Sequence, residues 1–293
     1  MLKKYMEQNK KVGVFGVSYL DYKLRGILQG DLIIIGSRSG AGKSTIAEQI
    51  AKANKANKPS LFSLEDFEGD SFIKAAYYKY IQETKDYVLS LRDFASGDFQ
   101  ADMFALHRAE EHAKATFEGV NIINRKRDFG IVELKEGIIK EVEENNAKLI
   151  IIDHLDYVSK YSNESDIQHI NDLMRTIRNV QDSFKVAVVA ISHLRKSPHV
   201  KDAPIIPSME EFIGSSNKVK EATVVVMLAP DDEGNMETTD KTKRLTWCCI
   251  RKLRMGGIDN TAAKIVFDTN TGQYIEQFHL YRVNYSGTQV EKI

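Results

Sequence analysis

The segment Ser37-Arg-Ser-Gly-Ala-Gly-Lys-Ser-Thr45 carries residue types that together can hold a polyphosphate. Glycines at 36, 40 and 42 let successive backbone N–H groups turn toward one anion. Lys43 has the reach to contact the outer phosphates, and the Ser44 hydroxyl is a ligand for Mg²⁺. The apolar run 32–35 reads as a buried strand leading into the loop that carries those glycines. Beyond the loop, Ile46, Ile50 and Ala51 give a helical pattern whose first turn aims its dipole at the same anion. The candidate nucleotide cradle is therefore Ser37, Arg38, Ser39, Gly40, Ala41, Gly42, Lys43, Ser44 and Thr45. One position departs from the usual spelling: Ser37 stands where such loops carry their first glycine.

Other polar groups stand at the ends of apolar runs, where a parallel sheet presents ligand-contacting residues. Run 149–152 ends in Asp153. It lies about a hundred residues beyond the cradle, the common order of a phosphate loop and the aspartate that holds Mg²⁺. Run 60–63 is followed by Glu65, and we expect that strand beside the cradle strand. A carboxylate there can orient and deprotonate the water that attacks a terminal phosphate. Equally, Glu65-Asp-Phe-Glu68 has the make-up of an acidic first helical turn. Run 186–191 ends in Ser192 and His193, placed to hydrogen-bond a terminal phosphate and to report its loss. Lys252 and Arg254 alternate onto one face of a strand. They are either solvated at an edge or extended toward a phosphate held by an adjacent subunit.

The elements that must position these groups are legible as alternating patterns. Strand-like runs occur at 32–35, 60–63, 120–123, 149–152, 186–191 and 223–228. Helical patterns occupy 44–55, 70–83, 105–117, 131–145 and 167–184. The alternation predicts an α/β fold, a mostly parallel central sheet flanked by helices on both faces. Beyond 223 the texture changes, and 245–250, 263–267 and 273–277 predict shorter antiparallel C-terminal strands. Linkers are expected at 161–165, 196–207 and 231–243, the last two long enough to suggest function or mobility. The charged opening 1–11 is either a frayed tail or an arm that docks on a neighbour.

A length of 293 residues allows one sizeable domain or two small ones. Apolar content of 42% with 28% charged residues is ordinary for a globular chain. Basic and acidic residues balance at 41 each, so a nucleic-acid site must be a local patch. The two cysteines, Cys248 and Cys249, are sequence neighbours, which excludes a disulfide framework. The longest apolar run, 222–230, is too short to span a bilayer, and the N-terminus lacks the apolar core of a signal peptide. Together these features point to a soluble cytoplasmic protein without a membrane partner.

In combination the motifs resemble the RecA-like motor domain of hexameric replicative helicases, the group of DnaB, the phage primase-helicases and Twinkle. The resemblance runs from Gly16-Val-Ser-Tyr-Leu-Asp21 and Gly26-Ile-Leu-Gln-Gly-Asp31 to Phe267-Asp-Thr-Asn-Thr-Gly272. Members often place a small residue at the loop's first glycine, so Ser37 is the family's spelling. The resemblance implies that Glu65 in Ser63-Leu-Glu65 is the catalytic base. Ser192-His-Leu-Arg-Lys196 is similar to the Twinkle and phage form of the sensor motif, and Lys252-Leu-Arg254 matches a Lys-x-Arg whose arginine acts in trans. Phe267 falls where the phage enzymes place an aromatic against adenine.

The resemblance also implies ATP with Mg²⁺, single-stranded DNA as partner, self-association into a ring, most often a hexamer, and a separate primase or loader. Candidate DNA contacts are Arg195, Lys196 and Lys201, followed by Gly214, Ser215, Lys218 and Lys220. Ile213 stands where the family's DNA loop has an arginine; Lys218 and Lys220 either substitute for it or line a solvated helix face. On this reading 1–15 are an arm or docking segment and 16–293 the motor, with no room for a primase or collar domain. That is the size of a compact phage- or plasmid-encoded helicase of a bacterial cell. Two other uses of the same core stand beside it: a RecA/RadA-type recombination ATPase, and a KaiC-like regulatory ATPase acting on protein partners. Ser-His-Leu-Arg-Lys and the Lys-x-Arg spacing favour the helicase, while charge neutrality and Ile213 speak for the protein-partner reading.

Overall fold

Isoleucine-rich runs make the centre of this molecule. The computed structural model describes residues 10–38, 40–125, 128–160, 164–194, 205–212, 215–240, 242–254, 256, 260–275 and 279–293. A small antiparallel pair, β1 (Lys11–Gly13) and β2 (Ile27–Leu28), precedes the main sheet. Six parallel strands follow: β3 (Leu32–Ser37), β4 (Ser60–Ser63), β5 (Asn121–Asn124), β6 (Leu149–Asp153), β7 (Ala187–His193) and β8 (Val224–Pro230). The chain then turns back through β9 (Lys243–Leu253), β10 (Thr261–Asp268), β11 (Gln273–Ile275), β12 (Leu280–Val283) and β13 (Val290–Lys292), all antiparallel. Across the sheet the order is β13-β12-β10-β9-β8-β3-β7-β6-β4-β5, with β11 hairpinned onto β10.

Strand alternation explains the layers. Leu32 and Ile34 of β3 face one core together with Ile138 of helix Ile131–Glu144 and Ile177 of helix Asp166–Phe184. Ile33 and Ile35 face the other, with Ile46 and Ile50 of helix Lys43–Ala53. Strands buried on both faces read as near-continuous apolar runs rich in Ile and Val, as β3, β6 and β7 do before their polar ends. A one-residue slip would exchange every side chain between the two cores, so the register of β3 is strongly specified. Helices Asp70–Thr84 and Met103–Phe117 form a satellite layer around Tyr80, Ile81, Ala105 and Ala109.

Several boundaries differ from expectation for local reasons. The Asp102 carboxylate accepts N–H bonds from Phe104 and Ala105, so that helix starts before 105. Gly36 and Ser37 belong to β3 and not to the loop. A Cβ on Gly36 would lie 2.6 Å from the Phe212 ring and 2.7 Å from Met227 Sδ, so glycine is there to admit a buried neighbour. β4 does not lie beside β3: β7 and β6 intervene, a correction to the expected neighbourhood of Glu65. The stretch 231–243 holds helix Asp232–Glu237, started by Asp231 accepting the Gly234 N–H. Strands β12 and β13 had no expectation attached to them.

Residues 1–9 of the expected arm lie outside the described residues, as do 161–163 and 196–204 of the expected linkers. What is described of 10–15 is built into the body. Asn54 exchanges two hydrogen bonds with the Val14 backbone, the Asp21 carboxylate accepts the N–H groups of Phe15 and Gly16, and Phe15 is buried. Among the described residues no helix is long and apolar enough to cross a membrane.

Candidate functional site

The carboxyl edge of the parallel strands gathers most of the residues singled out by their chemistry. β3 ends at Ser37, in register with His193 of β7 on one side and Leu228 of β8 on the other. The chain leaves β3 through a tight loop in which Gly40 and Gly42 take φ of +80° and +79°. L side chains are strained in that region, and Gly42 sits immediately before helix Lys43–Ala53. The helix therefore begins with Lys43, Ser44 and Thr45 at its positive end. Ser39 lies outside the described residues. The Arg38 side chain turns away from the loop and pairs with Glu211 through contacts of 3.1 to 3.3 Å.

Asp153 ends β6 and is buried. Burial pushes its carboxyl up to about 6 against the opposing effect of a hydrogen bond from Ser44. Its Oδ1 is fully buried and has no hydrogen-bond partner among the described residues. A buried oxygen left in this way is costly unless a cation meets it. With the Ser44 hydroxyl beside it, one carboxylate and one hydroxyl make a donor set suited to Mg²⁺, which keeps the rest of its shell as water and phosphate.

Glu65 reaches the same edge although its strand is two places further out than expected. Leu64 N–H donates to the Asp153 carbonyl at 2.6 Å, anchoring the turn, and Glu65 Oε2 lies 3.4 Å from His154 Nε2. His154 Nε2 is in turn 2.9 Å from His193 Nε2, so one imidazole donates and the other accepts. Burial, and after it the nearby His154 and Lys43, hold His193 below the usual histidine range, keeping the ring neutral near pH 7. The His193 N–H donates to Asp156 Oδ2 at 2.8 Å. Burial pushes the Asp156 carboxyl up, but His154, Lys218 and that N–H outweigh it and hold it well below the ordinary carboxylate range.

Lys218 corrects an expectation. It is 1% exposed, with Nζ 2.8 Å from Ser192 Oγ and 3.2 Å from Asp156 Oδ1, and so has no face for DNA. Helix Ser215–Glu221 turns this lysine inward, where its ammonium meets the partly exposed Asp156 carboxylate and the Ser192 hydroxyl. A Lys218→Ala substitution removes the buried ammonium's bonds to Ser192 and Asp156 and should lower unfolding free energy by about 1.5 kcal/mol in urea titrations. A loss under about 0.5 kcal/mol, the level of an ordinary surface change, would contradict a structural role for Lys218. Lys220 is exposed, and Ser215 opens the helix; Arg195, Lys196, Lys201, Ile213 and Gly214 lie outside the described residues.

Lys252 and Arg254 sit at the opposite edge. Arg254 N–H donates to the Thr223 carbonyl at the start of β8, and Lys252 pairs in register with Val225. Val224 lies beside Ile33 and Leu228 beside Ser37. The strand length between those two levels is about 13 Å, before the loop is added. Neither cation can span that to the cradle of its own chain. Arg254 instead donates to the Lys220 carbonyl at 3.2 Å, and Lys252 to those of Val219 and Lys220.

Next to the cradle is a cleft of about 530 Å³ bordered by Ser44, Thr45, Tyr78, Phe267 and Tyr274. Phe267 meets Tyr274 and Tyr78 edge-on, with ring centroids 5.6 and 6.2 Å away. Sequence reading had singled out Phe267 alone. The Asp268-Thr-Asn-Thr-Gly272 turn was the available signal for Tyr274, since a hairpin there places it in register with Phe267. His154 and Asp156 carry no such signal in the sequence, because they lie past the aspartate that ends the apolar run.

The model of the family described as DnaB-like helicase C terminal domain matches residues 14–276. A probable replicative DNA helicase of Trieres chinensis is 26% identical over 266 residues, covering 88% of this chain and 55% of that protein. The replicative DNA helicase DnaB of Leifsonia xyli subsp. xyli (strain CTCB07) is 24% identical over 220 residues, covering 73% and 45%. The chain thus spans about half the length of these curated relatives. Among solved structures, a DnaB-like replicative helicase, studied for its interactions with primase, superposes with a TM-score of 0.72 at 18% identity, over 94% of this chain and 66% of that one. The ATPase domain of G40P gives 0.73 at 19% identity, over 94% and 95%. Likeness at this identity establishes a shared RecA-like fold.

Proposed function

The chain belongs to the DnaB-like helicase C-terminal domain family, and from that premise we propose that it is an ATP-driven motor working as a ring, most often a hexamer, on single-stranded DNA. The observation that carries this reading is the division of charged groups between the two sheet edges. Lys43, Ser44, Asp153, Glu65 and His193 converge at one edge, while Lys252 and Arg254 stand at the other. A nucleotide site split in this way is completed by a neighbouring copy.

In this mechanism the cradle N–H groups and Lys43 bind the phosphates of ATP. Ser44 and Asp153 hold Mg²⁺, which offsets phosphate charge. Glu65 takes the proton from the attacking water, its carboxylate oriented by His154. Phe267, Tyr274 and Tyr78 offer apolar ring surface to the base. Arg254 and Lys252 from the next subunit stabilise charge that grows in the transition state.

Hydrolysis has a short physical route to the segment expected to hold DNA. His193 is followed by Leu194, which forms an antiparallel bridge with Phe212. Phe212 packs on Gly36 of the cradle strand, and Glu211 grips Arg38 of the cradle loop. Leu194, Glu211 and Phe212 are thus tied both to the sensor and to the cradle, so a shift in either is felt at all three. A primase or loader is a further partner on this reading, and the cytoplasm of a bacterial cell its setting. The test is ATP hydrolysis with and without single-stranded DNA. Stimulation that fades with added salt is expected. Hydrolysis indifferent to DNA would favour the regulatory ATPase instead, and filaments in negative-stain images would favour strand exchange.

A further inference from the structure

Three neighbouring strands each deliver one metal-ligating side chain to the same point. Glu65 follows β4, His154 follows β6 and His193 ends β7, and these strands are adjacent in the order β4-β6-β7. One donor atom from each lies within 4.8 Å of the other two. We infer that Glu65, His154 and His193 form a site for a transition-metal ion of the Zn²⁺ class, separate from the Ser44–Asp153 position, and that filling it stops hydrolysis. The second half of this inference rests on the reading of Glu65 as the base.

The geometry is close to what such an ion requires. Tetrahedral Zn²⁺ bonds to nitrogen and oxygen at about 2.0–2.1 Å, which sets its donors about 3.3–3.4 Å apart. His154 Nε2 is 3.4 Å from Glu65 Oε2 and 2.9 Å from His193 Nε2, so two of the three separations need only small adjustments. The third falls to Glu65, whose side chain is 37% exposed and free to rotate.

The surroundings also fit. His154 Nδ1 lies 3.3 Å from Asp156 Oδ2 without hydrogen-bond alignment, so a small turn of the ring brings a carboxylate behind it on the side away from the three donors. Metal-bound histidines use this support to fix ring orientation and raise ligand basicity. Asp156 is itself held by Lys218 and by the His193 N–H, so the support is rigid.

Selectivity follows from donor type. Two imidazoles and one carboxylate with an open fourth position suit Zn²⁺, whereas Mg²⁺ prefers octahedral oxygen and dehydrates reluctantly. Excess Mg²⁺ should therefore not displace the ion. Coordination lowers the basicity of the Glu65 carboxylate, because a nearby cation favours its unprotonated form, and turns it toward the two imidazoles and away from the attacking water, so an occupied site is a stopped site.

The 293-residue chain can be titrated with Co²⁺ as a spectroscopic stand-in, without nucleotide. The expected result is one equivalent of visible d–d absorption typical of tetrahedral Co²⁺, lost when Zn²⁺ is added. Glu65→Gln and His193→Asn, both at partly exposed positions, should each weaken the affinity about 10–100-fold or more. His107→Ala, at an exposed position far along the chain, should leave it unchanged. Absence of the absorption, or its full retention in both ligand variants, overturns the site. A second arm follows ATP hydrolysis in excess Mg²⁺ while Zn²⁺ is added, expecting loss of turnover with the same midpoint as binding. Binding with undiminished turnover would leave the site standing and overturn the role of Glu65. If the chain hydrolyses no ATP at all, the functional reading fails while the Co²⁺ spectrum still decides the site.

Discussion

An Arg254→Ala chain should assemble as the parent does and hydrolyse ATP at least about 10³-fold more slowly. The size of the effect follows from where the guanidinium would act. A planar, permanently charged group placed against phosphoryl oxygens in a site sheltered from water stabilises the transition state far more than a solvated cation could. Its position makes the effect intermolecular. Arg254 lies at the amino edge of β8 and the cradle beyond the carboxyl edge of β3, so one chain cannot bring them together.

Mixing supplies the check on that geometry. Arg254→Ala keeps an intact cradle, and Lys43→Ala keeps an intact Arg254. Neither alone should turn over, yet a mixed ring contains interfaces that pair the two intact halves. Recovery of activity on mixing is the expected outcome. Near-parental turnover by Arg254→Ala alone would remove the trans role. Lys252→Ala should have a smaller effect, since that ammonium is partly buried and already donates to two carbonyls of its own chain.

Glu65→Gln should lower turnover by about 10²–10⁴-fold while nucleotide affinity stays close to the parent's. The substitution keeps the shape of the side chain and removes its ability to take a proton. Because the position is partly exposed, folding should be untouched. Fluorescent-nucleotide binding and steady-state hydrolysis, measured on the same sample, separate the two effects. A variant that binds poorly would assign Glu65 to nucleotide binding, and one that hydrolyses normally would pass the proton to another group.

Much of the cradle was legible in the sequence because its chemistry is contiguous. Glycines, Lys43 and Ser44 follow one another along a single strand–loop–helix, and local spacing alone sets their geometry. Asp153 was legible for a related reason: an apolar run that ends in a carboxylate describes its own position in a parallel sheet. The paired helices and the antiparallel tail followed from hydrophobic period and turn residues.

Strand order was not legible. β4 follows β3 in the chain, yet β6 and β7 insert between them, because crossovers in a parallel sheet need not join spatial neighbours. Lys218 looked like a surface cation until the fold placed the Asp156 carboxylate beneath it. The inward turn of one lysine cannot be read from a helix that is polar over most of its length.

By itself the sequence determined that this chain builds a parallel α/β core around a glycine-rich strand–loop–helix, with an aspartate ending a buried strand. Those features depend on residues close together along the chain, or on periodicity within one element. Tertiary structure alone decided which strand ends meet. It brought Glu65, His154 and His193 to one point from three strands and set Arg254 at the far edge. Contacts of that kind arise from the pairing order of the sheet, which burial of two hydrophobic faces selects globally and no local stretch encodes.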